Sequence, residues 1–225
     1  MLQPLRFDSL EETFVVSDCH FRHDRDFIWG RRLNKEGKVY QSVAEHDRGI
    51  MDVWNERVDG SNTVVHLGDF IFGDPTGEHL INTLNQLNFG TLYLAFGNHW
   101  SGVKQLYQKS LIKQFGEEFA SKHEVYPLQL IDYYRPVFFV PNYFEMKVGK
   151  TFFVASHYPI VSHNSQGRGA YHICGHSHGG CALTNKNTGK GRRLDVGIES
   201  FGGPVSLKFV TDYLKGRDFD SVDHH

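Results

Sequence analysis

The chain has 225 residues, of which 40% are hydrophobic and 14% aromatic, enough to bury the core of one globular domain. Its formal net charge of −2 gives no general basic field for nucleic acid or anionic membranes. The sequence contains no apolar run of the ~18 residues that a membrane span needs, and residues 1–13 lack the apolar core of a secretory signal. We therefore expect a single domain over residues 1–225, in the cytoplasm, with its three cysteines reduced.

In the first half of the chain, strand patterns alternate with helix patterns. Strands are expected at about 12–17, 63–67 and 91–96, and helices at about 42–59, from Asp74-Pro75 to Gly90, and at about 102–119. Ser42 and Glu45 form the S-x-x-E pattern of a capping box, which opens the first of these helices. Successive strand–helix units predict right-handed crossovers and a largely parallel sheet.

The second half carries closely spaced strand patterns instead. VFFV, YFEMKV and TFFVAS follow one another between residues 137 and 156, and Gly149-Lys150 is typical of a tight hairpin turn. RRLDVGIE and PVSLKFV predict two closing strands, and the acidic tail at 218–223 is expected to be frayed. We therefore expect an α/β fold whose second half is more antiparallel.

A further short strand pattern opens YHICGHSH, and side chains of the types that ligate metals follow this pattern and four of those above. They are Asp18 and His20, Asp69, Asn98 and His99, His157, and His176 and His178. In an extended segment alternate side chains share a side, so each Asp-x-His or His-x-His pair can reach one cation or two adjacent ones. Imidazole and carboxylate together suit Mn, Fe, Zn or Co better than Ca²⁺, which prefers oxygen alone. The simplest common cause is a pair of divalent cations bridged by one carboxylate.

The order of these blocks along the chain is D-x-H, G-D, G-N-H, a histidine in H-Y-P, and G-H-S-H. This order resembles the calcineurin-like metallophosphoesterase superfamily, and SDCHFRH together with ASHYPI resembles its small bacterial and phage members. The resemblance spans residues 17–180. It implies an α/β fold of two mixed β-sheets packed face to face as a sandwich with helices outside, the four-layer metallophosphoesterase fold.

The resemblance also implies a role for each matching residue. Asp18, His20 and His178 would hold the first metal, Asn98, His157 and His176 the second, and Asp69 would bridge both. The metals would be two divalent transition ions, Mn²⁺ above all, with Fe, Zn, Ni or Co as alternatives. A hydroxide shared by the cations would attack phosphorus in line, and His99 would protonate the leaving oxygen.

Residues near the ligand blocks offer further contacts. Arg22 and His23 follow the first pair closely enough to bind a phosphate, although an exposed loop explains them equally well. Many relatives have an acidic residue after the G-N-H histidine, whereas this chain has Trp100. The expected candidates to orient His99 are therefore Asp24, Asp26 and backbone carbonyls.

The remaining histidines, cysteines and charged clusters are expected to be structural. Cys19 should face away from the ligands, His66 should lie in the core, His172 in the core or behind a ligand, and Asp195 should tie down a strand end. The expected surface residues are His46, His79 and His123, the loop residues His163, Asn164 and Arg168, and the hairpin residues Lys186, Lys190, Arg192 and Arg193. The alternative role for the loop residues is to line the substrate entrance, and the alternative role for the hairpin residues is to steer anions.

The function expected from the resemblance is hydrolysis of a phosphomonoester or phosphodiester bond in a small molecule such as a nucleotide. The segment after Asp69 lacks the V-D-R-G continuation of protein phosphatases, which disfavours a phosphoprotein substrate. One alternative is a nuclease acting on DNA or RNA ends, which would need a basic or aromatic groove. Another is an inactive protein-binding scaffold, which would have no need of all eight ligand and proton-donor side chains.

Overall fold

The computed structural model describes residues 3–99, 101–182, 184 and 191–218. Its strands are β1 (Leu5–Phe7), β2 (Thr13–Val16), β3 (Thr63–His66), β4 (Thr91–Ala95), β5 (Leu128–Gln129), β6 (Val137–Val140), β7 (Tyr143–Val148), β8 (Thr151–Ser156), β9 (Tyr171–Cys174), β10 (Arg193–Asp195) and β11 (Val205–Ser206). Its helices are α1 (Asp26–Trp29), α2 (Val43–Arg57), α3 (Glu78–Leu84), α4 (Ser101–Phe115), α5 (Glu117–Ala120), α6 (Ile198–Phe201) and α7 (Leu207–Tyr213). Within these ranges no helix has the length and apolarity needed to cross a membrane.

The strands form two mixed sheets. The first has the order β11-β2-β3-β4-β6-β5, with four parallel central strands and an antiparallel strand at each edge. The second has the order β1-β7-β8-β9-β10. The largely parallel sheet predicted for the first half is confirmed, and so is the cap of α2, where the Ser42 side chain accepts a hydrogen bond from the Glu45 N–H.

The second sheet is less antiparallel than the sequence predicts. Gly149-Lys150 does form the predicted hairpin, but β7–β8 is the one antiparallel pairing among the four recorded for the described strands of this sheet. The strand predicted in PVSLKFV is wrong beyond Ser206. The Ser206 side chain accepts a hydrogen bond from the Phe209 N–H and caps α7, whose Leu207 and Val210 pack into the core.

Two helices differ from the expectation at their ends. The helix expected at 102–119 divides into α4 and α5 at Gly116, whose φ of +87° a helix cannot contain. The next difference is that α3 begins at Glu78 rather than at Asp74-Pro75. Asp74 still organises this start, because its carboxylate accepts two backbone hydrogen bonds from residues 77 and 80.

The apolar core lies on both sides of the first sheet. Alternation along β3 sends Val64 to the side covered by α2, α3 and α4, and Val65 to the side that faces the second sheet. Trp54 is fully buried on the helix side and Phe153 between the sheets. Each such side chain contributes about 1.5–3 kcal/mol of burial free energy. The fold is therefore α/β, with two mixed sheets that share a core.

Candidate metal centre

The ligand-type side chains meet where the strands of the two sheets end. Since β2, β3 and β4 are parallel neighbours, the D-x-H, G-D and G-N-H blocks leave their carboxyl ends side by side. In the second sheet β8 and β9 are also parallel, and they deliver His157 and the G-H-S-H block to the same place. Carboxyl ends of parallel strands are the usual position of ligand sites in α/β proteins.

These side chains form two adjacent groups. The first group is Asp18, His20 and His178, and the second is Asp69, His157 and His176, each with one ligand atom per residue within 4.8 Å of the others. Asn98 joins the second group, because its Oδ1 is 2.8 Å from His157 Nε2 and 2.8 Å from His176 Nδ1. The structure therefore brings all the predicted ligands together.

Asp69 lies between the two groups. Its Oδ2 is 3.6 Å from His20 Nε2 in the first group and 3.6 Å from His157 Nε2 in the second. Its Oδ1 accepts hydrogen bonds from the backbone N–H of Asn98 at 2.7 Å and of His99 at 2.8 Å. One oxygen is thus fixed by the loop after β4, while the other faces both groups.

The backbone at the ligands is strained rather than extended. Positive φ angles occur at Asp18 (59°), His20 (51°), Asp69 (55°), His176 (66°) and His178 (49°). This conformation costs a non-glycine residue about 1–2 kcal/mol, and it persists only where the surrounding structure fixes it. The expectation that an extended chain directs each pair is therefore wrong. Left-handed residues direct the ligands, and the intervening Cys19 is fully buried in the core, away from them as predicted.

Two glycines permit this close packing. A Cβ on Gly97 would lie 2.1 Å from Asp69 Oδ1, and a Cβ on Gly68 would lie 2.6 Å from the Gly97 backbone. Both glycines also have positive φ angles. The glycines of the G-D and G-N-H blocks are therefore required by the packing of two strand ends around one carboxylate.

Buried polar atoms of the first group lack protein partners. Among the described residues, no hydrogen bond reaches Asp18 Oδ1 or either ring nitrogen of His20, and these residues are at most 1% exposed. Burial raises the pKa of Asp18 to about 8 and holds the pKa of His20 well below its usual range. Such unpartnered atoms are destabilising. A borderline divalent cation fits this set of one carboxylate and two imidazoles.

The second group also presents converging acceptors. His157 Nδ1 is 3.1 Å from the Leu67 carbonyl oxygen, and His157 Nε2 is 2.8 Å from Asn98 Oδ1. Burial lowers the pKa of His157, and a neutral imidazole has a single N–H for these two oxygens. With that proton on Nδ1, the Nε2 lone pair faces the oxygens of Asn98 and Asp69, an arrangement that a cation satisfies.

Sequence reasoning missed a partly buried network that orients the first group. Glu199 Oε1 is 2.5 Å from His178 Nδ1, so Nδ1 donates to the carboxylate and Nε2 is left to bind a cation. Burial opposes ionisation of Glu199, but the hydrogen bond from His178 and the charge of Arg32 lower its pKa to about 2. Burial also works against a charged His178, but the contact with Glu199 raises its pKa.

Arg32 links this network to the ligand backbone. Its guanidinium donates to Glu199 at 2.7 Å, to the Asp18 carbonyl at 2.7 Å and to the Cys19 carbonyl at 2.9 Å. It also lies 2.8 Å from His46 Nε2, and His46 is fully buried, so its assignment to the surface is wrong. No sequence pattern marks Arg32, because these partners lie 13 to 167 positions away.

Asp195 supports the G-H-S-H turn from the end of β10, as its position predicts. Its Oδ2 accepts hydrogen bonds from the Gly179 N–H at 3.0 Å and from the Ser177 hydroxyl. Its Oδ1 accepts one from the Gly197 N–H at 2.7 Å. The turn that carries two candidate ligands is therefore anchored by a carboxylate that is not itself in either group.

His99 lies beside the first group without joining it. Its ring centroid is 5.4 Å from that of His20 and 5.4 Å from that of Phe72. Its backbone N–H donates a hydrogen bond to Asp69 Oδ1. Asp24 and Asp26 were expected to orient the His99 ring, but both are exposed. Among the described residues, neither makes a hydrogen bond to His99. The His99 ring is instead positioned by packing against the rings of His20 and Phe72.

The two predicted phosphate contacts have different surroundings. His23 is 3% exposed, and its ring centroid is 5.9 Å from that of His99. Its Nδ1 accepts a hydrogen bond from the Arg25 N–H at 3.4 Å, which leaves the proton of the neutral ring on Nε2. Arg22 instead reaches α3, where its Nη1 is 2.6 Å from His79 Nδ1. Of the two, His23 faces the candidate site.

The remaining sequence assignments have mixed outcomes. His66 and His172 are fully buried as expected, and burial lowers the pKa of each to about 3. Arg193 is 3% exposed and donates to the Val161 carbonyl, so its assignment to a solvated hairpin is wrong. The loop residues His163, Asn164 and Arg168 line a separate cavity of about 460 Å³. Trp100, Lys186, Lys190 and the tail from residue 219 lie outside the described residues.

Comparison with known proteins gives one likeness of fold. No family model matches the chain, and no curated protein matches it. The crystal structure of the protein of unknown function AQ665 from Aquifex aeolicus aligns with a TM-score of 0.54 and 17% identity, covering 89% of this chain and 97% of that one. At this identity the likeness supports the fold alone.

Proposed function

We propose that this chain is a two-metal phosphoesterase with the four-layer calcineurin-like metallophosphoesterase fold, hydrolysing a phosphomonoester or phosphodiester of a small molecule or nucleotide. The observation that carries the proposal is the position of Asp69 Oδ2, which lies 3.6 Å from a histidine of each ligand group. A carboxylate placed between two such groups suits a bridging ligand for two cations. The two facing mixed sheets support the fold.

The donor atoms favour borderline transition ions. Each group combines imidazole nitrogens with carboxylate or amide oxygens, a set that suits Mn²⁺ first and also Fe, Zn, Ni or Co. Two such ions would lower the pKa of water and neutralise the charge of a bound phosphate. The residues that would hold them are those of the two groups.

His99 is the proton donor in this proposal. Its N–H bond to Asp69 fixes it to the bridging carboxylate, and its ring lies between those of His20 and Phe72 without a place in either group. An alkoxide leaves poorly without a proton, and an imidazole at this position supplies one. His23, with its proton on Nε2, is placed to donate a hydrogen bond to a phosphate oxygen.

The strained and unpartnered ligands argue against an inactive scaffold. A protein-binding platform gains nothing from a buried carboxylate oxygen, Asp18 Oδ1, and a buried imidazole, His20, that have no hydrogen-bond partner among the described residues. Nor does it gain from positive φ at five candidate ligands. A nuclease uses the same chemistry, and only the substrate separates it from a small-molecule phosphoesterase.

A metal analysis with a hydrolysis panel tests the proposal. Protein purified with Mn²⁺ should hold about two tightly bound transition ions per chain. It should hydrolyse at least one class among aryl monoesters, aryl diesters, cyclic nucleotides, nucleoside phosphates and short oligonucleotides. Metal-free, inactive protein after this treatment would overturn the proposal, and preference for oligonucleotides would favour the nuclease.

Substitution of His99 tests the proton-donor role. His99→Ala should retain both metals and lose about 10²–10⁴-fold in turnover of alkyl phosphates. Loss on p-nitrophenyl esters should be smaller, because nitrophenolate leaves without a proton. His123→Ala, which changes an exposed histidine, is the matched control and should behave as wild type. Equal losses on alkyl and nitrophenyl esters would remove His99 from this role.

A further inference from the structure

A cavity of about 470 Å³ opens beside the candidate metal centre. Its walls come from the loop after β3, the loop after β4 and the first two turns of α4. We call it the α4 pocket, and its lining residues are Phe72, Asn98, His99, Ser101, Lys104 and Gln105. Asn98 belongs to the second ligand group and His99 lies beside the first, so the pocket is continuous with the site.

The position of His99 decides which part of a substrate enters this pocket. In the proposed function, on which this inference rests, the phosphate lies at the two ligand groups and His99 protonates the departing oxygen. Because His99 also lines the α4 pocket, the group attached to that oxygen extends into it. The pocket therefore receives the leaving group.

The walls of the pocket combine an aromatic face with a polar rim. Phe72 is half-buried, and its ring packs against His23 at a centroid distance of 4.1 Å, which holds it in place. A fixed aromatic ring offers a stacking surface for a flat unsaturated ring. Ser101, Lys104 and Gln105 are exposed and place a hydroxyl, an ammonium and a carboxamide around that surface. The carboxamide both donates and accepts hydrogen bonds.

We propose that the α4 pocket binds the nucleoside of a nucleotide substrate, with its base against Phe72 and its polar edge toward Gln105. A phenyl ring would stack on Phe72 but make no hydrogen bond to the rim. A sugar phosphate would hydrogen-bond to the rim but leave Phe72 exposed to water. A nucleobase matches both. The volume lies within the ~300–1,000 Å³ usual for small-ligand pockets, and one such cavity accommodates a mononucleoside rather than a strand.

A pair of substrates with the same leaving oxygen tests this inference. AMP and ribose 5-phosphate both release a primary alcohol, and they differ only at C1 of the sugar, where AMP carries the base and ribose 5-phosphate a hydroxyl. The ratio of their kcat/KM values should be about tenfold or more in favour of AMP, the order expected of one base–aromatic contact. Phe72→Leu should bring the ratio close to one. Phe115→Leu, at the far end of α4 and 46% exposed, should keep the wild-type ratio.

The outcomes separate this inference from the proposed function. If both compounds are hydrolysed with equal kcat/KM, the nucleoside pocket is wrong and the phosphoesterase stands. If oligonucleotides are strongly preferred to AMP, a nucleic-acid strand replaces the mononucleoside. If no ester is hydrolysed, the pocket is tested by the binding of adenosine, because adenosine carries no phosphate and its binding does not depend on hydrolysis. Saturation-transfer NMR should then show its ring protons in contact with the protein, and no such contact would overturn the inference.

A variant at the rim keeps the test decisive if Phe72→Leu fails to fold. Gln105 is exposed, so Gln105→Ala leaves the core intact. It should lower kcat/KM for AMP while sparing ribose 5-phosphate. An unchanged kcat/KM for AMP would exclude Gln105 from recognition, and an unchanged AMP to ribose 5-phosphate ratio in every variant would overturn the pocket.

Discussion

The two ligand groups are held in place by different means. In the first group, Arg32 donates to Glu199 and to the Asp18 carbonyl, and Glu199 accepts a hydrogen bond from His178. In the second group, the amide oxygen of Asn98 lies 2.8 Å from a ring nitrogen of each histidine, and His157 Nδ1 lies 3.1 Å from the backbone carbonyl of Leu67, just after β3. The first group depends on charges that are distant in sequence, and the second on local close packing.

This difference determines how each group fails. A buried charge network is lost when one partner is neutralised, because the remaining charge stays buried without compensation. Close packing of backbones is lost when bulk is added, because a well-packed interior has no spare volume. Asp69 stands outside this division, since one of its oxygens faces both groups and the other is bound by the loop after β4.

The largest effect is expected from Asp69→Asn. The amide keeps the shape of the side chain but loses the charge that both groups share, so both metals should be lost. Single partners of ligands change metal affinity by about 10–100-fold, and the loss for a shared ligand should exceed this range. Metal content by mass spectrometry and hydrolysis by the panel are the measurements.

A matched control for this substitution lies at Asp132. It also has a positive φ, of 59°, but it is exposed and pairs with Lys113 at the surface. Asp132→Asn makes the same chemical change in the same backbone conformation, and it should leave metal content unchanged. If Asp69→Asn retained one tightly bound metal, the carboxylate would belong to a single group, and the bridging geometry would be excluded.

The location of these ligands is what the sequence predicts best. Ligand-type side chains placed just after apolar strand patterns need only local information, and parallel strands then bring the ends together. Arg32 and Glu199 could not be found in this way. Their contacts join a loop to a short helix 167 positions later, and neither residue lies in a periodic pattern.

Local patterns also could not predict whether neighbouring strands of the second sheet run parallel or antiparallel. Nor could they predict that most of PVSLKFV forms a helix rather than a strand. The strand pattern of TFFVAS is the same whether its neighbour runs parallel or antiparallel, since the connection decides the direction. In PVSLKFV, Leu207 and Val210 fit helical spacing as well as an apolar strand. The helix forms because Ser206 caps it and its apolar face packs against the core that the two sheets share.

The next largest effect should come from Gly97→Ala, which adds bulk within the second group. The new Cβ would lie 2.1 Å from Asp69 Oδ1, in a backbone conformation with φ of +76°. The loop after β4 must move, so we expect loss of metal from the second group and a lower melting temperature. Gly37→Ala is the control, because φ is +75° there and no atom lies within 4 Å of its Cβ.

This pair of variants separates steric clash from backbone strain. Both carry the cost of an alanine at positive φ, about 1–2 kcal/mol, and this should be the whole effect of Gly37→Ala. Gly97→Ala should cost more and should alone change the metal content. Similar melting temperatures and equal metal content in the two variants would show that the β4 loop adapts to the added methyl group.

A smaller and more selective effect is expected from Glu199→Gln. The amide oxygen can still accept from His178, but the charge that pairs with Arg32 is lost. We expect about 10–100-fold weaker binding of one metal, that of the first group, and unchanged binding of the other. Titration calorimetry with Mn²⁺ resolves the two steps. Glu56→Gln, which neutralises an exposed partner of Lys35, should change neither step.

The smallest effect concerns His172, which belongs to neither group and reports the acid response of the scaffold alone. Its Nδ1 is 3.1 Å from the Val154 carbonyl, its Nε2 accepts from the Ile160 N–H at 3.2 Å, and burial lowers its pKa to about 3. In the unfolded chain the pKa returns to about 6.5. Between these values the unfolded state binds the extra proton, so this histidine makes the folded state less stable as pH falls below about 6.5.

His172→Gln removes this titration while keeping an acceptor for the Ile160 N–H. The free energy of unfolding at pH 7 should fall by about 1 kcal/mol, because the hydrogen bond to Val154 is lost. Its decline with acid should be shallower than in wild type by up to about 1.4 kcal/mol per pH unit. Urea unfolding of metal-free protein at pH 7, 6 and 5 measures both, with His123→Gln as the exposed control. An unchanged slope would mean that His172 is protonated in the fold. With the predicted slope established, any further acid sensitivity of the metal-loaded protein comes from the two ligand groups.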